Sequence, residues 1–263
     1  MRVLLLDIDD CLAGPIWPLA DRPRRPVDRT VIGQLLAECE RANISIHFLT
    51  NRPPGQLPVL AQIFGGAARY HFAESGLSAW LPDENRAIVN PRYVEFAETV
   101  VPEVRRRLEE AFSPSWRGPM VDEFGTRLVT MTLVPLGAAS ADVASLVHKV
   151  SEILAGLPVA VRQGKGVDIM PEGATKECGC QWAEELHPRL HGEPLNWADV
   201  LYVEDSTTGL EAARYIAERG GMAAAVANAA EAFKDAVAEA GGMLCEHEGE
   251  RGVLEAVRRW LAG

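Results

Sequence analysis

The chain has 263 residues, of which 48% are hydrophobic, and a formal net charge of −11 at pH 7. This acidic balance provides no overall positive field, so we expect neither nucleic acid nor an acidic membrane surface as a partner. No apolar stretch approaches the roughly 20 residues that a membrane helix needs. Asp7 interrupts the first apolar run, so we expect no signal peptide there. Five scattered cysteines, an odd number, favour reduced thiols in the cytoplasm.

The first third of the chain alternates predicted strands and helices. The run RVLLLDI, residues 2–8, is continuously apolar up to its aspartate, as in a strand buried on both faces. Apolar positions at helical spacing predict a helix over 29–42, and ISIHFLT, residues 44–50, predicts a second strand. TNRPPG then predicts a helix start, and YHFAES, residues 70–75, a third strand. This βαβαβ order predicts a parallel sheet with helices on both faces.

The middle of the chain follows a different pattern. A helix is predicted over 91–112 and another over about 140–155, with two strand-like stretches after each. The order α-β-β-α-β-β indicates a separate small α+β domain. Beyond it the strand–helix alternation returns. We therefore predict an α/β domain formed by 1–81 and 168–263, interrupted by an inserted α+β domain over 82–167.

Polar side chains collect at the predicted strand ends. In a doubly wound sheet the ligand binds beyond the carboxyl ends of the strands, so these positions predict the site. Asp7 and Asp9, two residues apart, lie on one side of the first strand. The residues at the strand ends, with the lysine that begins the helix after the inserted domain, are Asp7, Asp9, Thr50, Asn51, Lys176, Glu204, Asp205 and Asn228.

The chemistry of this set indicates phosphoryl transfer. Carboxylates at neighbouring strand ends repel one another and are costly to bury unless a cation neutralises them. Acidic oxygen ligands suit Mg²⁺, whereas a lysine, a hydroxyl and free helix N–H groups suit a phosphoryl group. We predict that Mg²⁺ and Lys176 together compensate the aspartates in a phosphoryl-transfer site.

Each motif taken alone also has a structural interpretation. Thr50 and Asn51 could cap a helix, and the pair Glu204–Asp205 could cap another. Lys176 alone could be a solvated surface residue. Only the joint order of the motifs, each in its strand or helix context, is specific.

In these motifs the chain resembles the haloacid dehalogenase-like (HAD) hydrolase superfamily. The four motifs are LLLDIDD, IHFLT followed by NR, DIMPEGATK and LYVEDSTTG. AESG, VANAAEAFKDAV and EGERGVLEAV resemble the Cof-type branch, which includes sugar-phosphate phosphatases with a C2 cap between the second and third motifs. The resemblance implies a HAD-like Rossmannoid parallel-sheet core with an inserted smaller α+β cap of the C2 type.

The resemblance also implies roles for individual residues. Asp7 is implied as the nucleophile that forms an aspartyl-phosphate, Asp9 as the general acid and base, and Lys176 as the third catalytic residue. The implied phosphate-binding residues are Thr50, Asn51, Lys176 and Asn228. The implied Mg²⁺ ligands are Asp7, Asp9, Asp205 and Glu204.

The implied function is Mg²⁺-dependent hydrolysis of a small phosphorylated metabolite, either a sugar phosphate or a phosphorylated acid. A phosphomutase of the same superfamily and a non-catalytic phosphate-binding relative are the alternatives. The sequence predicts neither the substrate nor the oligomeric state.

Two of the motifs depart from the family pattern. Asp10-Cys11 stands where the family usually has Gly-Thr after the first motif, and Gly209 falls where the later Asp of the Cof-type fourth motif would be. EDSTTG instead resembles the phosphoglucomutase- and phosphoglycolate-phosphatase-like branch. The subfamily is therefore left open.

A hairpin is predicted near the end of the inserted domain. Residues 159–171, VAVRQGKGVDIMP, have glycines that permit a tight turn. In C2-capped relatives the cap sheet covers the catalytic strand ends, which implies that Arg162, Gln163 and Lys165 lie near the leaving group. The alternative is that the charged residues of this hairpin are simply solvated.

Overall fold

The structure is a computed structural model that describes residues 1–13, 26–64, 68–112, 120–122, 126–135, 140–164 and 166–263. The strands, numbered in chain order, are β1 Arg2–Leu6, β2 Ile44–Phe48, β3 His71–Ala73, β4 Ser78–Leu81, β5 Arg86–Val89, β6 Met120–Asp122, β7 Met131–Pro135, β8 Val159–Gln163, β9 Val167–Pro171, β10 Val200–Glu204, β11 Met222–Ala225 and β12 Met243–Leu244. The helices are α1 Arg29–Arg41, α2 Leu57–Phe64, α3 Val94–Phe112, α4 Ser140–Ile153, α5 Glu177–His191, α6 Leu210–Glu218, α7 Glu231–Glu239 and α8 Gly249–Ala262.

Five parallel strands form the central sheet in the order β12-β11-β10-β1-β2. β1 lies between β10 and β2, and its residues Val3 to Leu6 are 0% exposed. The continuous apolar run suits this position, because a central parallel strand is covered on both faces. The predicted parallel sheet is confirmed for β1 and β2, and it places the ends of β1, β2 and β10 side by side. The strand predicted over 70–75 does not belong to it, because β3 lies in a separate sheet.

The chain beyond β2 extends the core with a second, antiparallel sheet. β3 follows an isolated parallel bridge between Leu49 and Phe72, and it pairs with β4, which pairs with β5. β3 was predicted from the sequence, whereas β4 and β5 were not. Both have only four residues, too few for an alternating pattern to stand out.

The inserted segment folds around a core of its own. Its sheet is antiparallel in the order β6-β7-β9-β8, and the element order α3-β6-β7-α4-β8-β9 is the predicted α-β-β-α-β-β. The residues buried in this second core are Val104, Leu108, Phe112, Met131, Leu133, Val143, Val150, Leu154, Val167 and Ile169. The limits 82–167 stay a prediction: β5 falls within them but pairs with β4, and β9 runs past them to Pro171.

Among the described helices, none is long and apolar enough to cross a membrane.

Two histidines are buried in the larger core. His47 on β2 and His71 on β3 are both 0% exposed. The His47 ring contacts Ser45 Oγ at 2.9 Å and the Tyr70 carbonyl at 2.8 Å. His71 Nδ1 accepts the Phe48 N–H, and its Nε2 has no partner among the described residues. Burial lowers the pKa of His47 well below its usual value and that of His71 to about 3.

Acidification from pH 7 to pH 5 should therefore destabilise the protein. The unfolded chain protonates both histidines below about pH 6.5, whereas the folded state keeps them neutral, so the unfolded state binds more protons. Each histidine then removes about 1.4 kcal/mol of unfolding free energy per pH unit below that point. Urea unfolding at several pH values measures the slope.

A matched pair of variants tests the origin of that slope. His71→Gln should reduce the slope of unfolding free energy against pH by about 1.4 kcal/mol per pH unit, the contribution of one proton. His148→Gln should leave it unchanged, because the His148 side chain is 81% exposed on α4. Equal slopes in wild type and His71→Gln would contradict the assignment.

Candidate active site

A buried lysine lies between two carboxylates at the carboxyl edge of the parallel sheet. Lys176 directly precedes α5, and its Nζ is 2.9 Å from Asp7 Oδ1, beyond the end of β1. The same Nζ donates to Glu204 Oε2 at the end of β10. The side chains of Lys176, Asp7 and Glu204 are 2%, 7% and 0% exposed. Because water is excluded, these charges interact far more strongly than a surface pair would.

The surroundings shift the pKa of each of these groups. Burial, together with the nearby charge of Glu204, raises the pKa of Asp7 from 3.8 to about 6, although Lys176 opposes the shift. Burial also acts to raise the pKa of Glu204, but Lys176 and the hydrogen bonds outweigh it and lower that pKa. Despite burial, Asp7 and Glu204 raise the pKa of Lys176. Lys176 is therefore held as a cation.

Glu204 is saturated by hydrogen-bond donors. Its Oε2 accepts from Lys176 and from the Tyr202 hydroxyl at 2.8 Å. Its Oε1 accepts from the backbone N–H groups of Asp205 and Ser206, at 3.2 and 3.0 Å, and from Ser206 Oγ at 2.8 Å. These contacts suit an anchor that orients Lys176 and the loop after β10 better than they suit a metal ligand.

The acidic residues around Lys176 fit a hard cation. Asp7, Glu204 and Asp205 can each supply a carboxylate oxygen, and these three atoms lie within 4.8 Å of one another. An all-oxygen, acidic donor set suits Mg²⁺. Because Glu204 is occupied by donors, Asp7 and the partly exposed Asp205 are better able to hold the ion.

Asp9 is paired with an arginine that the sequence analysis did not single out. Arg52 Nη2 lies 2.7 Å from Asp9 Oδ1, and its Nε lies 3.2 Å from Oδ2, which is the two-point geometry that a guanidinium favours. Arg52 is 7% exposed. The only sequence signal for a role of Arg52 was its position directly after the second motif. In the sequence analysis the segment TNRPPG was interpreted as a helix start.

Substituting Arg52 should weaken the general acid predicted at Asp9 more than the nucleophile predicted at Asp7. Arg52→Gln removes the fork that fixes Asp9, so hydrolysis of an alkyl phosphate, whose leaving oxygen needs a proton, should slow by about tenfold or more. An aryl phosphate has a better leaving group and should be affected less. Steady-state kcat/KM on both substrates measures this.

The control for that comparison is Arg92→Gln, which breaks an exposed pair with Glu185. It should change neither rate. Equal losses on both substrates in Arg52→Gln would contradict a role through Asp9.

The second motif lies beside the first, as the sheet order requires. Thr50 is 0% exposed, and its Oγ1 accepts the Arg52 N–H at 3.3 Å. The Asn51 carbonyl accepts a hydrogen bond of 2.8 Å from Nη1 of Arg127, which belongs to the inserted domain. The phosphate-binding roles of Thr50 and Asn51 stay predictions.

Asn228 bridges two backbone segments. Its Nδ2 donates to the Asp10 carbonyl at 3.0 Å, and its Oδ1 accepts the Gly249 N–H at 2.8 Å. These contacts tie the loop after β1 to the start of α8. The phosphate role predicted for Asn228 stays a prediction.

The structure gives physical reasons for two of the departures from the family pattern, those at Asp10 and Gly209. Asp10, at the usual glycine position, has a left-handed φ of 58°, which aspartate tolerates better than most residues. A Cβ on Gly209 would lie 2.5 Å from the Tyr202 hydroxyl and 2.6 Å from Glu204 Cγ. An aspartate therefore cannot occupy position 209 beside these neighbours.

The predicted substrate residues of the hairpin are only partly described. Arg162 and Gln163 are exposed at the end of β8, and Lys165 lies outside the described residues. The turn is closed by a hydrogen bond from the Gly164 N–H to the Gly166 carbonyl. Contact of these residues with a leaving group stays a prediction.

No family model matches the chain, and no curated protein matches it in sequence. Solved structures share its fold. Protein 0175 of Thermoplasma acidophilum has a TM-score of 0.68 at 15% identity, covering 100% of this chain and 99% of that one. The sucrose-phosphatase of Synechocystis sp. PCC6803 has a TM-score of 0.60 at 17% identity, covering 99% and 98%. A haloacid dehalogenase-like hydrolase from Bacteroides thetaiotaomicron has a TM-score of 0.59 at 15% identity, covering 98% of each chain.

The chain therefore has the fold of the haloacid dehalogenase-like hydrolases over essentially its whole length. This confirms the predicted fold class, a Rossmannoid parallel-sheet core with an inserted smaller α+β domain. Sequence identities of 15–17% establish the fold, and the activity is argued from the site itself.

Proposed function

We propose that this chain is a HAD-like phosphatase of the Cof-type, C2-capped branch, which hydrolyses a small phosphorylated metabolite through an aspartyl-phosphate on Asp7. The observation that carries the proposal is the contact of Lys176 with both Asp7 and Glu204 at the carboxyl edge of the sheet. A buried carboxylate fixed beside a permanent cation can approach an anionic phosphoryl group, because the cation offsets part of the repulsion.

The residues divide the reaction between them. An Asp7 oxygen attacks phosphorus, and the ester bond breaks as Asp9 gives its proton to the leaving oxygen. Asp9 then takes a proton from a water molecule whose oxygen attacks phosphorus, which frees Asp7 and releases orthophosphate. Lys176 and the loop 50–52 hold the phosphoryl oxygens. Mg²⁺, when bound by Asp7 and Asp205, would supply positive charge to the same oxygens.

Sugar phosphates are the first substrates to test. The fold is shared with an enzyme that is named a sucrose-phosphatase and was solved with sucrose and phosphate. The proposed partner is thus a small phosphorylated metabolite. The cytoplasm stays the predicted location of the protein.

A phosphate-release screen tests the proposed function. The panel contains sugar phosphates, phosphoglycolate, mannosyl-phosphoglycerate-like acids and an artificial aryl phosphate, each with Mg²⁺. Release of orthophosphate and the free alcohol supports a phosphatase. An isomeric sugar phosphate as product would indicate a phosphomutase, and phosphate binding without release would indicate a non-catalytic relative.

Activity should need a divalent cation held by Asp7 and Asp205. Asp205→Asn should raise the Mg²⁺ concentration for half-maximal rate by about tenfold or more, since it removes a charged oxygen ligand. Ca²⁺ should substitute poorly, because its longer bonds and looser geometry suit the site less. Mg²⁺ titrations of kcat measure both effects.

Glu231→Gln on α7 is the matched control for Asp205→Asn, because the Glu231 side chain is 82% exposed. It should leave the titration unchanged. Full activity of the wild type in excess chelator would contradict the metal requirement.

A further inference from the structure

The turn that follows β3 has an unusual backbone. Glu74, Ser75 and Gly76 have consecutive left-handed φ angles of 49°, 61° and 88°. For the two residues that are not glycine, this conformation is unfavourable. It persists only where the surrounding contacts hold it, so the turn 74–76 marks a place where the fold maintains strain.

Glu74 binds the inserted domain through its carboxylate. The residue is 0% exposed, and its Oε1 accepts the backbone N–H groups of Leu128, Val129 and Thr130 at 3.1, 3.0 and 2.8 Å. Thr130 Oγ1 donates to the same oxygen at 2.9 Å. A carboxylate of the core thus holds the segment 126–130, which leads into β7 and is called here the cap loop.

The cap loop reaches the second motif through Arg127. One guanidinium nitrogen, Nη1, donates to the Asn51 carbonyl at 2.8 Å and to Thr130 Oγ1 at 2.9 Å. Thr130 is also bound by Glu74, so a single hydroxyl links the two side chains. The backbone of loop 50–52 is therefore fixed from the cap side.

The same turn fixes loop 50–52 from the core side. The Glu74 N–H donates to the Arg52 carbonyl at 3.0 Å, and the Ser75 N–H donates to the Thr50 carbonyl at 2.9 Å. All three carbonyls of the loop consequently accept from the turn or from the cap loop.

The turn also touches the start of α5. A Cβ on Gly76 would lie 2.1 Å from the backbone nitrogen of Gly179, which is three residues after Lys176. This contact excludes any side chain at position 76. The turn 74–76 thus packs against the cap loop, the second motif and the start of α5, the helix that directly follows Lys176.

We propose that the turn 74–76 is a joint that couples the seating of the cap loop on the core to the conformation of loop 50–52, with Glu74 and Arg127 as positioning residues. The inference rests on the proposed function and deepens it: the cap loop, once seated, orders the loop that binds the phosphoryl group. When the cap loop is released, the Asn51 carbonyl loses its donor and loop 50–52 loses affinity for phosphate.

Hydrogen exchange tests the coupling without any activity measurement. In Glu74→Gln, the amides of 128–130 should exchange at least about tenfold faster, and so should those of 50–52. In Arg127→Met, exchange should increase more at the amides of 50–52 than at those of 128–130. Glu250→Gln is the matched control, because Glu250 is 2% exposed and also accepts a backbone N–H, from Asp28, but lies on α8.

Binding of inorganic phosphate in the presence of Mg²⁺ tests the consequence. Glu74→Gln and Arg127→Met should each weaken it by about tenfold and raise KM by a similar factor, with a smaller change in kcat. Arg127→Lys, which keeps a donor, should recover most of the affinity. The double variant should bind phosphate no more weakly than the single variant with the lower affinity, because both residues act through one joint.

The failures of the two proposals are distinguishable. Unchanged exchange at 50–52 in both Glu74→Gln and Arg127→Met would overturn the joint, whatever the activity of the protein. Equal phosphate affinity in wild type and both variants would also overturn it. Inorganic phosphate that does not bind the wild type would overturn the proposed function, while the exchange data would still decide whether the joint exists.

Discussion

Asp7→Asn should reduce phosphate release by at least about 10⁴-fold while the fold survives. The amide keeps the shape and volume of the carboxylate, so the packing at the end of β1 is retained. It has no negative charge with which to attack phosphorus, and it cannot form the aspartyl-phosphate. Phosphate release by the purified variant, with its circular dichroism spectrum, measures both parts of the prediction.

The same variant should make the metal-free protein more stable at neutral pH. The pKa of Asp7 is raised from 3.8 to about 6, so the folded state holds a proton in that range that the unfolded state has lost. Stability from this group is therefore present at low pH and is lost as the pH rises through about 6. Asn removes the cost of burying an ionised carboxylate above that pH. Tm at pH 7.5 should therefore rise by several degrees, since each kcal/mol of unfolding free energy is worth about 2–4 °C in a chain of this size.

Asp199→Asn is the control for both measurements, because Asp199 lies outside the site, just before β10. It should change neither the rate nor the pH dependence of Tm. Near-wild-type phosphate release by Asp7→Asn would contradict the assignment of the nucleophile.

Lys176→Met should have the largest effect on stability. Met preserves much of the length of the side chain but leaves Asp7 and Glu204 facing each other in a site that excludes water. Removing one partner from a buried ion pair costs about 3–5 kcal/mol, which corresponds to a fall in Tm of roughly 10 °C. Thermal unfolding at pH 7.5 in chelator measures the loss.

Two comparisons show whether charge is the cause. Adding Mg²⁺ should recover part of the lost Tm, because the cation replaces some of the positive charge of the lysine. Lys234→Met, which breaks a pair with the exposed Glu231 on α7, should cost less than about 1 kcal/mol. A fall in Tm no larger than that of Lys234→Met would contradict the charge compensation.

Local patterns were sufficient to predict the core of the fold. The apolar run before Asp7 and the strand–helix alternation after it predicted β1, β2 and β10 and the shared edge at which they end. The inserted domain was predicted from a change in element order. The short strands β4 and β5 were missed because four residues carry too little periodicity to distinguish a strand from a loop.

The residues that organise the site were harder to predict, because their partners are distant in the chain. Arg52 meets Asp9 across 43 residues, Glu74 meets Leu128 across 54, and Arg127 meets Asn51 across 76. A charge followed by a proline, or an acidic residue in a turn, looks locally like a cap or a solvated group. Only tertiary structure shows that these side chains are bound to the predicted site.

The third dimension also separates residues that the motifs treated alike. Glu204 and Asp205 are adjacent in sequence, but the first is enclosed by donors and the second is partly exposed. Asn228 lies at a strand end as predicted, yet its amide joins two backbone segments. Motif order predicted where these groups lie, and their hydrogen bonds indicate how their roles divide.

Covalent trapping of the intermediate tests the central claim most directly. The protein is quenched in acid during turnover of an active substrate with Mg²⁺, reduced with borohydride, digested and analysed by mass spectrometry. An aspartyl-phosphate is reduced to homoserine, so we expect homoserine at position 7 and nowhere else. Homoserine at another aspartate, or continued turnover in which Asp7 is never modified, would contradict it.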